Sequence, residues 1–166
     1  AQLNEVQQSA IQKILSAQEL AIIHGPPGTG KTTTLVQAIK MLLASQSKQL
    51  LVVAPSNAAV DLLTEKLSQE RLDVIRVGNP ARISENLMNL TLDQKMIQHP
   101  QMKEIRKMKK RASQFRDIAH KYKRTFGKAE REQRKALMSE AYQLMKEVDK
   151  IEKNIANDLL NKAQII

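Results

Sequence analysis

Cysteine is absent from the 166 residues, so disulfides and cysteine-ligated metal sites are excluded, and a reducing compartment is compatible with the chain. Tryptophan is absent too and aromatics make up 2% of the sequence, which leaves Leu, Ile, Val, Met and Ala to build any core. No apolar run approaches the roughly 20 residues needed to cross a bilayer, and the first residues lack a secretory signal pattern. The expectation is a soluble, cytoplasmic protein. Acidic residues are the minority charge: 17 Asp+Glu face 27 Lys+Arg, and the net +10 calls for a polyanion, either nucleic acid or an acidic membrane surface. The imbalance is local, because residues 101–155 hold 17 of the basic and 8 of the acidic residues, +9 of the total. A near-neutral body carries a strongly basic segment. The length permits one ordinary domain, or a small one with an appendage.

The most informative stretch is Leu20 to His24 followed by Gly25-Pro-Pro-Gly-Thr-Gly-Lys-Thr32. It reads as an apolar strand entering G-x-x-x-x-G-K-T and then a helix, Thr33 to Ala44, with apolar Leu35, Ala38, Ile39, Leu42 and Leu43. That order is a phosphate-binding P-loop. Triphosphate oxygens must be met by several backbone N–H groups at once, and glycines at Gly25, Gly28 and Gly30 let the chain curl closely around them. The following helix aims its positive end at the same oxygens. Lys31 can reach the β- and γ-phosphates, and the Thr32 hydroxyl is the candidate Mg²⁺ ligand. The nucleotide-binding set is Gly25, Pro27, Gly28, Thr29, Gly30, Lys31, Thr32 and Thr33, with Lys31 and Thr32 also the candidate catalytic residues. The competing reading, a glycine-rich turn that happens to contain Lys-Thr, has to explain why every fixed position is filled and both flanking elements are of the correct kind.

Residues 3–17 pattern as an amphipathic helix with Val6, Ala10, Ile14 and Leu15 on one face and Asn4 as N-cap. Gln7 and Gln8 fall in its first turns, where a Gln by itself signifies a solvated face more often than a functional one. Leu50 to Ala54 is a continuous apolar run, the pattern of a parallel strand buried on both faces. Pro55-Ser-Asn57 ends it, and Ala58 to Leu67 reads as a helix through Ala59, Leu62, Leu63 and Leu67. A further strand is expected at 73–77, closed by Gly78-Asn-Pro80 with a helix start near 81, and Thr91-Leu-Asp-Gln94 has capping-box spacing for a short helix. Alternating strand and helix over 20–80 predicts an α/β fold with a parallel, helix-covered sheet.

At Pro100 the character changes. Ile105, Met108, Ala112, Phe115, Ala119, Tyr122 and Phe126 recur in steps of three and four, and Leu137, Ala141, Leu144, Val148, Ile151 and Ile155 do the same. Two such seams around Gly127 predict an antiparallel helical hairpin reversing there. Its basic residues are either a solvated coiled-coil surface or a nucleic-acid contact. Residues 162–166 look like the opening of one more strand, whose exposed edge could pair with a second copy, so oligomeric state stays open. The abrupt stop suggests that the sequence is part of something longer.

With these segments in place, the chain resembles superfamily 1 helicases, in the up-frameshift-type branch that includes the immunoglobulin mu-binding protein helicase. Five features carry the likeness: Leu3-Asn-x-x-Gln7; the loop 25–32; Ala54-Pro-Ser-Asn-x-Ala-Val-Asp61; Arg76-Val-Gly-Asn-Pro-Ala-Arg82; and a helical hairpin inserted after them. The hairpin matches in type and position, the others in residues. The resemblance implies an incomplete RecA-like sheet with helices on both faces. Residues 1–99 would form the first part of that ATP-binding domain, 100–160 its stalk, and 161–166 the start of the next strand. It also implies that Gln7 reads the adenine edge, a role for which an amide offers both donor and acceptor. Pro55, Ser56 and Asn57 would hold single-stranded nucleic acid, DNA or RNA, by contacts to phosphate. The implied activity is ATP-dependent helicase or translocase movement, 5′-to-3′ by the same likeness, with ATP and Mg²⁺ as cofactors and no membrane partner.

Hydrolysis in that family needs an apolar strand ending in Asp-Glu and arginines from a second RecA-like domain, and neither pattern occurs in these residues. The resemblance implies that the parent protein is an ATP hydrolase, and the missing carboxylates lead us to expect the 166 residues alone to turn over little or no ATP. Two rivals are a P-loop ATPase that remodels proteins with the hairpin as docking arm, and a coiled-coil binding module with a vestigial loop.

Overall fold

Helix α1 (Glu5–Ser16) starts where Asn4 caps it: the Asn4 side chain accepts from Gln7 N–H at 2.8 Å, and Gln7 Oε1 accepts from Asn4 N–H at 3.1 Å. The computed structural model describes residues 3–46, 48–121 and 127–166. They form α1, α2 (Lys31–Ser45), α3 (Asn57–Gln69), 3₁₀ turns at Pro80–Arg82 and Glu85–Leu90, and then α4 (Leu92–Gln98), α5 (Met102–His120) and α6 (Lys128–Lys162). Two compact units result, Ala1–Leu92 with Leu160–Ile166, and Asp93–Leu159. No helix among the described residues is long and apolar enough to cross a membrane.

In the first unit, α2 and α3 bury Val36, Ile39, Leu63 and Leu67 against Val74 and Ile165, with Leu43, Leu50, Val52, Ala54 and Leu72 around them. Helix α1 packs on α2; Ile11, outside the expected face, is its buried residue, while Ala10, Ile14 and Leu15 are half-buried and Val6 stays exposed at the rim of a cavity. Both α2 and α3 begin earlier than their apolar pattern, at Lys31 and Asn57, because the preceding Gly30 and Ser56 serve as caps.

Extended segments join this core through parallel bridges from Ile165 to Leu50 and to Val74, and from Arg76 to Thr91. Leu50 N–H donates to Gln164 at 2.9 Å, Val52 N–H to Ile166 at 2.8 Å, and Ile75 N–H to Ile165 at 2.9 Å. Residues 164–166 are thus held on both sides, which corrects the expected exposed edge at residue 166: the pairing groups there are already taken by the segments around Leu50 and Asp73. Leu20–His24 forms no β-pairing among the described residues, and Leu20 and Ile22 are 77% and 79% exposed. An apolar run supplies the tendency to be buried, but a strand also needs a neighbour, and the described residues place none there. Leu50–Ala54 is likewise covered on one face only. Leu50, Val52 and Ala54 pack inward while Leu51 and Val53 are 74% and 78% exposed, so the expected burial on both faces does not hold.

The second unit is helical. Ile105, Ala112 and Ala119 of α5 are buried at intervals of seven, as are Ala141, Val148 and Ile155 of α6. Ile105 clusters with Val148 and Ile155, flanked by Met96, Met102, Met108, Ile151 and Leu159. Lys109 donates to Glu152 at 2.7 Å, so early α5 meets late α6, the relation of antiparallel helices. Tyr122 and Phe126, expected on the first seam, lie outside the described residues. Of the expected reversal, Lys121 and Gly127 are described, and Glu130 accepts from Gly127 N–H at 2.9 Å.

Candidate nucleotide and nucleic-acid site

The loop before α2 is set by its glycines. Gly28 and Gly30 have φ of 83° and 79°, the left-handed region that costs a side-chain-bearing residue energy. A Cβ on Gly30 would lie 2.6 Å from Gln7 Nε2, and one on Gly25 would lie 2.8 Å from Thr29 Oγ1. Thr29 Oγ1 donates to Pro26 C=O at 2.8 Å, and Lys31 Nζ donates to the carbonyls of Gly25 and Pro26 at 2.7 and 2.8 Å. The ammonium is therefore folded over the loop from the first residue of α2. Helix geometry gives the amides of Lys31, Thr32 and Thr33 no acceptor within the helix, and they concentrate positive potential at its start. Thr34 N–H closes the first turn on Gly30 C=O at 2.9 Å. Thr32 and Thr33 are half-buried in that turn; Pro27 and Gly28 are exposed at the loop tip.

Gln7 connects α1 to this loop. Its Nε2 donates to Thr29 C=O at 3.1 Å while its Oε1 takes the Asn4 amide. Each end of the side-chain amide retains one further hydrogen-bonding position, a donor and an acceptor. Beside it lies a cavity of about 700 Å³ lined on its apolar side by Val6, Ala10, Ile14, Ile23 and Leu35 and on its polar side by Gln7, Thr29 and Lys31. An apolar pocket with a few convergent polar groups suits a flat heterocycle leading to an anionic tail.

Pro55, Ser56 and Asn57 are exposed ahead of α3. Ser56 Oγ accepts from Ala59 N–H at 3.2 Å as N-cap, which leaves the hydroxyl hydrogen available as a donor. Asn57 Oδ1 accepts from Arg76 Nη2 at 3.2 Å. Arg76 and Asp61 are only 6% and 8% exposed and pair through Nε and Oδ1 at 3.1 Å, while the other Asp61 oxygen accepts from the amide and the hydroxyl of Ser84 at 3.0 and 2.8 Å. Burial pushes the Asp61 carboxyl up, but the Ser84 bonds and the Arg76 guanidinium outweigh it and hold the group below the ordinary Asp value. The sequence reading missed this cluster. Asp61 and Arg76 stand in two separate motifs that say nothing of their pairing, and the local hint is a charge inside the apolar run Val74-Ile75-Arg76-Val77, which announces a buried partner without naming it.

No group of three or more His, Asp or Glu able to hold a metal ion occurs among the described residues. A cation at this site would rest on the Thr32 hydroxyl together with ligand oxygens.

A family model described as an AAA domain matches residues 2–166. The chain is 41% identical over 92 residues to the DNA polymerase alpha-associated DNA helicase A of Schizosaccharomyces pombe, covering 55% of this chain and 14% of that protein. It is 45% identical over 91 residues to the DNA-binding protein SMUBP-2 of Rattus norvegicus, 55% of this chain and 9% of that one. Against DNA polymerase alpha-associated DNA helicase A of Saccharomyces cerevisiae it is 32% identical over 167 residues, 99% of this chain and 23% of that protein. The chain belongs to the AAA-domain family of superfamily 1 helicases. Its fold class is that of P-loop nucleoside triphosphatases. The chain spans less than a quarter of the length of each of these relatives.

Proposed function

We propose that this chain is the nucleotide-binding part of an ATP-dependent helicase or translocase, an ATP hydrolase that moves along single-stranded nucleic acid. The observation that carries this reading is the loop at the start of α2, with Lys31 folded over it and Gln7 bonded into its side beside the apolar cavity. Adenine would enter the cavity against the remaining donor and acceptor of Gln7. The phosphates would lie against the amides of residues 28–33, with Lys31 exchanging its loop carbonyls for β- and γ-phosphate oxygens. Thr32 would hold Mg²⁺, which when bound neutralises charge on the phosphate oxygens.

Pro55, Ser56 and Asn57 would grip a polynucleotide backbone by the same physics, the exposed start of α3 serving as a second anion site. Both loops open helices that share one core, so closure around ATP could be felt at the polynucleotide. The parallel bridges through Ile165 support a RecA-like parallel sheet, with α5 and α6 as a stalk inserted into it. Relatives named as DNA helicase and DNA-binding protein support a nucleic-acid substrate. The basic excess of residues 101–155 suits the same partner.

The test is binding of a fluorescent ATP analogue to the full-length protein, and its oligonucleotide-stimulated ATP hydrolysis, each with Lys31→Ala alongside. Loss of both in the variant is expected. Analogue binding untouched by the substitution would sink the nucleotide site. Hydrolysis stimulated by a protein client instead of by oligonucleotides would favour a protein remodeller.

A further inference from the structure

The side chain of Arg76 lies between a buried carboxylate and an exposed amide. Its Nε donates to Asp61 Oδ1, its Nη1 to the carbonyl of Val77, and its Nη2 to Asn57 Oδ1. Its backbone is held as well: Arg76 N–H donates to Leu90 C=O at 2.8 Å and Arg76 C=O accepts from Leu92 N–H at 3.3 Å. Asp61 in turn is anchored by the Ser84 amide and hydroxyl. Gly78 leaves room for the guanidinium, since a Cβ there would stand 2.8 Å from Nη1.

A guanidinium carries donors only, so the atom of Asn57 that faces it must be the oxygen. The Asn57 NH₂ group is then turned away from Arg76, toward solvent, as a pair of donors. Without Arg76 the amide could flip and present its oxygen, which repels a phosphate. We propose that Arg76 is a positioning residue for nucleic-acid binding: fixed by Asp61 and fitted beside Gly78, it orients the Asn57 amide so that only N–H donors meet the polynucleotide backbone. This deepens the reading of residues 55–57 given above and rests on it. The buried pair is thereby a device for donor polarity at the surface, which explains why a costly charge pair stands where apolar side chains would pack as well.

The experiment measures affinity of the full-length protein for fluorescein-labelled oligo(dT) and oligo(U) by anisotropy at fixed salt, with thermal unfolding and ATP-analogue binding as parallel readouts. Asn57→Ala removes the donors and is expected to weaken binding about tenfold. Arg76→Lys keeps the charge but cannot fork between Asp61 and Asn57, and is expected to weaken binding about three- to tenfold. In the Asn57→Ala background Arg76→Lys should cost less than about twofold more, because its effect passes through the amide already removed. Gly78→Ala, which displaces the guanidinium without altering charge, should behave like Arg76→Lys and serves if that variant folds poorly. Multiplicative losses in the double variant, with Ser56→Ala and Asn57→Ala both weakened, would overturn the positioning role alone. Oligonucleotide binding unchanged in Ser56→Ala and Asn57→Ala would overturn the reading of residues 55–57 and the positioning role with it.

Discussion

Replacing Asp61 by Asn removes one charge and little volume from beside Arg76, and the structure sets the size of the effect. The new Oδ1 can still accept from Arg76 Nε, but the new NH₂ faces the Ser84 amide, a donor that now meets a donor. The guanidinium, 6% exposed, loses its counter-charge. Breaking a buried pair from one side costs about 3–5 kcal/mol. Here Ser84 and Asn57 are themselves exposed, so water reaches the edge of the cluster and about 2–3 kcal/mol is the better expectation. For a chain of this size that is a fall in Tm of roughly 5–10 °C. Because the chain has no Trp, unfolding is best followed by far-ultraviolet circular dichroism. The pH dependence has a definite sign. The folded Asp61 carboxyl titrates below its ordinary value, so its contribution is present at pH well above the ordinary Asp value and is lost as pH falls through the lower, folded value. Wild type and Asp61→Asn should therefore differ fully at neutral pH and converge in acid, with a slope of no more than about 1.4 kcal/mol per pH unit. A variant within about 0.5 kcal/mol of wild type at neutral pH, or a gap that stays constant into acid, would refute the account of this cluster.

Gly30→Ala should cost about 1–2 kcal/mol for a side chain at φ 79° and, by driving Gln7 away, lower ATP-analogue affinity as well; affinity equal to wild type would break the link between Gln7 and the loop. Asn4→Ala removes the cap of α1 and should lower stability by about 1 kcal/mol, read by thermal unfolding, with a smaller loss of analogue affinity because the cap also holds Gln7. Thr32→Ala should abolish the Mg²⁺ dependence of analogue binding in a metal titration while leaving metal-free binding in place. Ile105→Ala empties a fully covered position in the seam of α5 and α6 and should cost about 2–5 kcal/mol, seen as faster amide exchange in both helices; exchange rising in α5 alone would argue that the two do not fold as one unit.

What could be read in advance was written in consecutive or regularly spaced residues. The loop from Gly25 to Thr32 is eight neighbours in a row, and the seams of α5 and α6 repeat every seven residues at 105, 112 and 119 and at 141, 148 and 155. Asn4 as an N-cap marked a helix start, but the bond from Gln7 to Thr29 joins residues 22 apart and left no local mark. Pairing of extended segments was least legible. Residues 164–166 come to rest between segments more than a hundred and about ninety residues earlier, and nothing in the apolar run Leu20–His24 says that it forms no pairing among the described residues. Hydropathy records which side chains leave water and is silent on which backbone they meet.

Arg76 shows the same limit in a single residue. A charge inside an apolar run had to have a partner, since a guanidinium left alone at that depth is costly. The partner is a helix residue 15 positions back, chosen because the 3₁₀ turns after Gly78 return Ser84 to the same carboxylate. The four residues that converge, Asn57, Asp61, Arg76 and Ser84, come from a helix start, a helix interior, an extended segment and a turn, so only the assembled first unit brings them together. A covered ion pair there also fixes the first turn of α3 against the segment around Arg76, and any shift of that segment must either carry Asn57 with it or break a charged bond. The surface that is proposed to meet a polynucleotide is thus mechanically tied to the interior of the unit, which is the property a motor domain would need at that position.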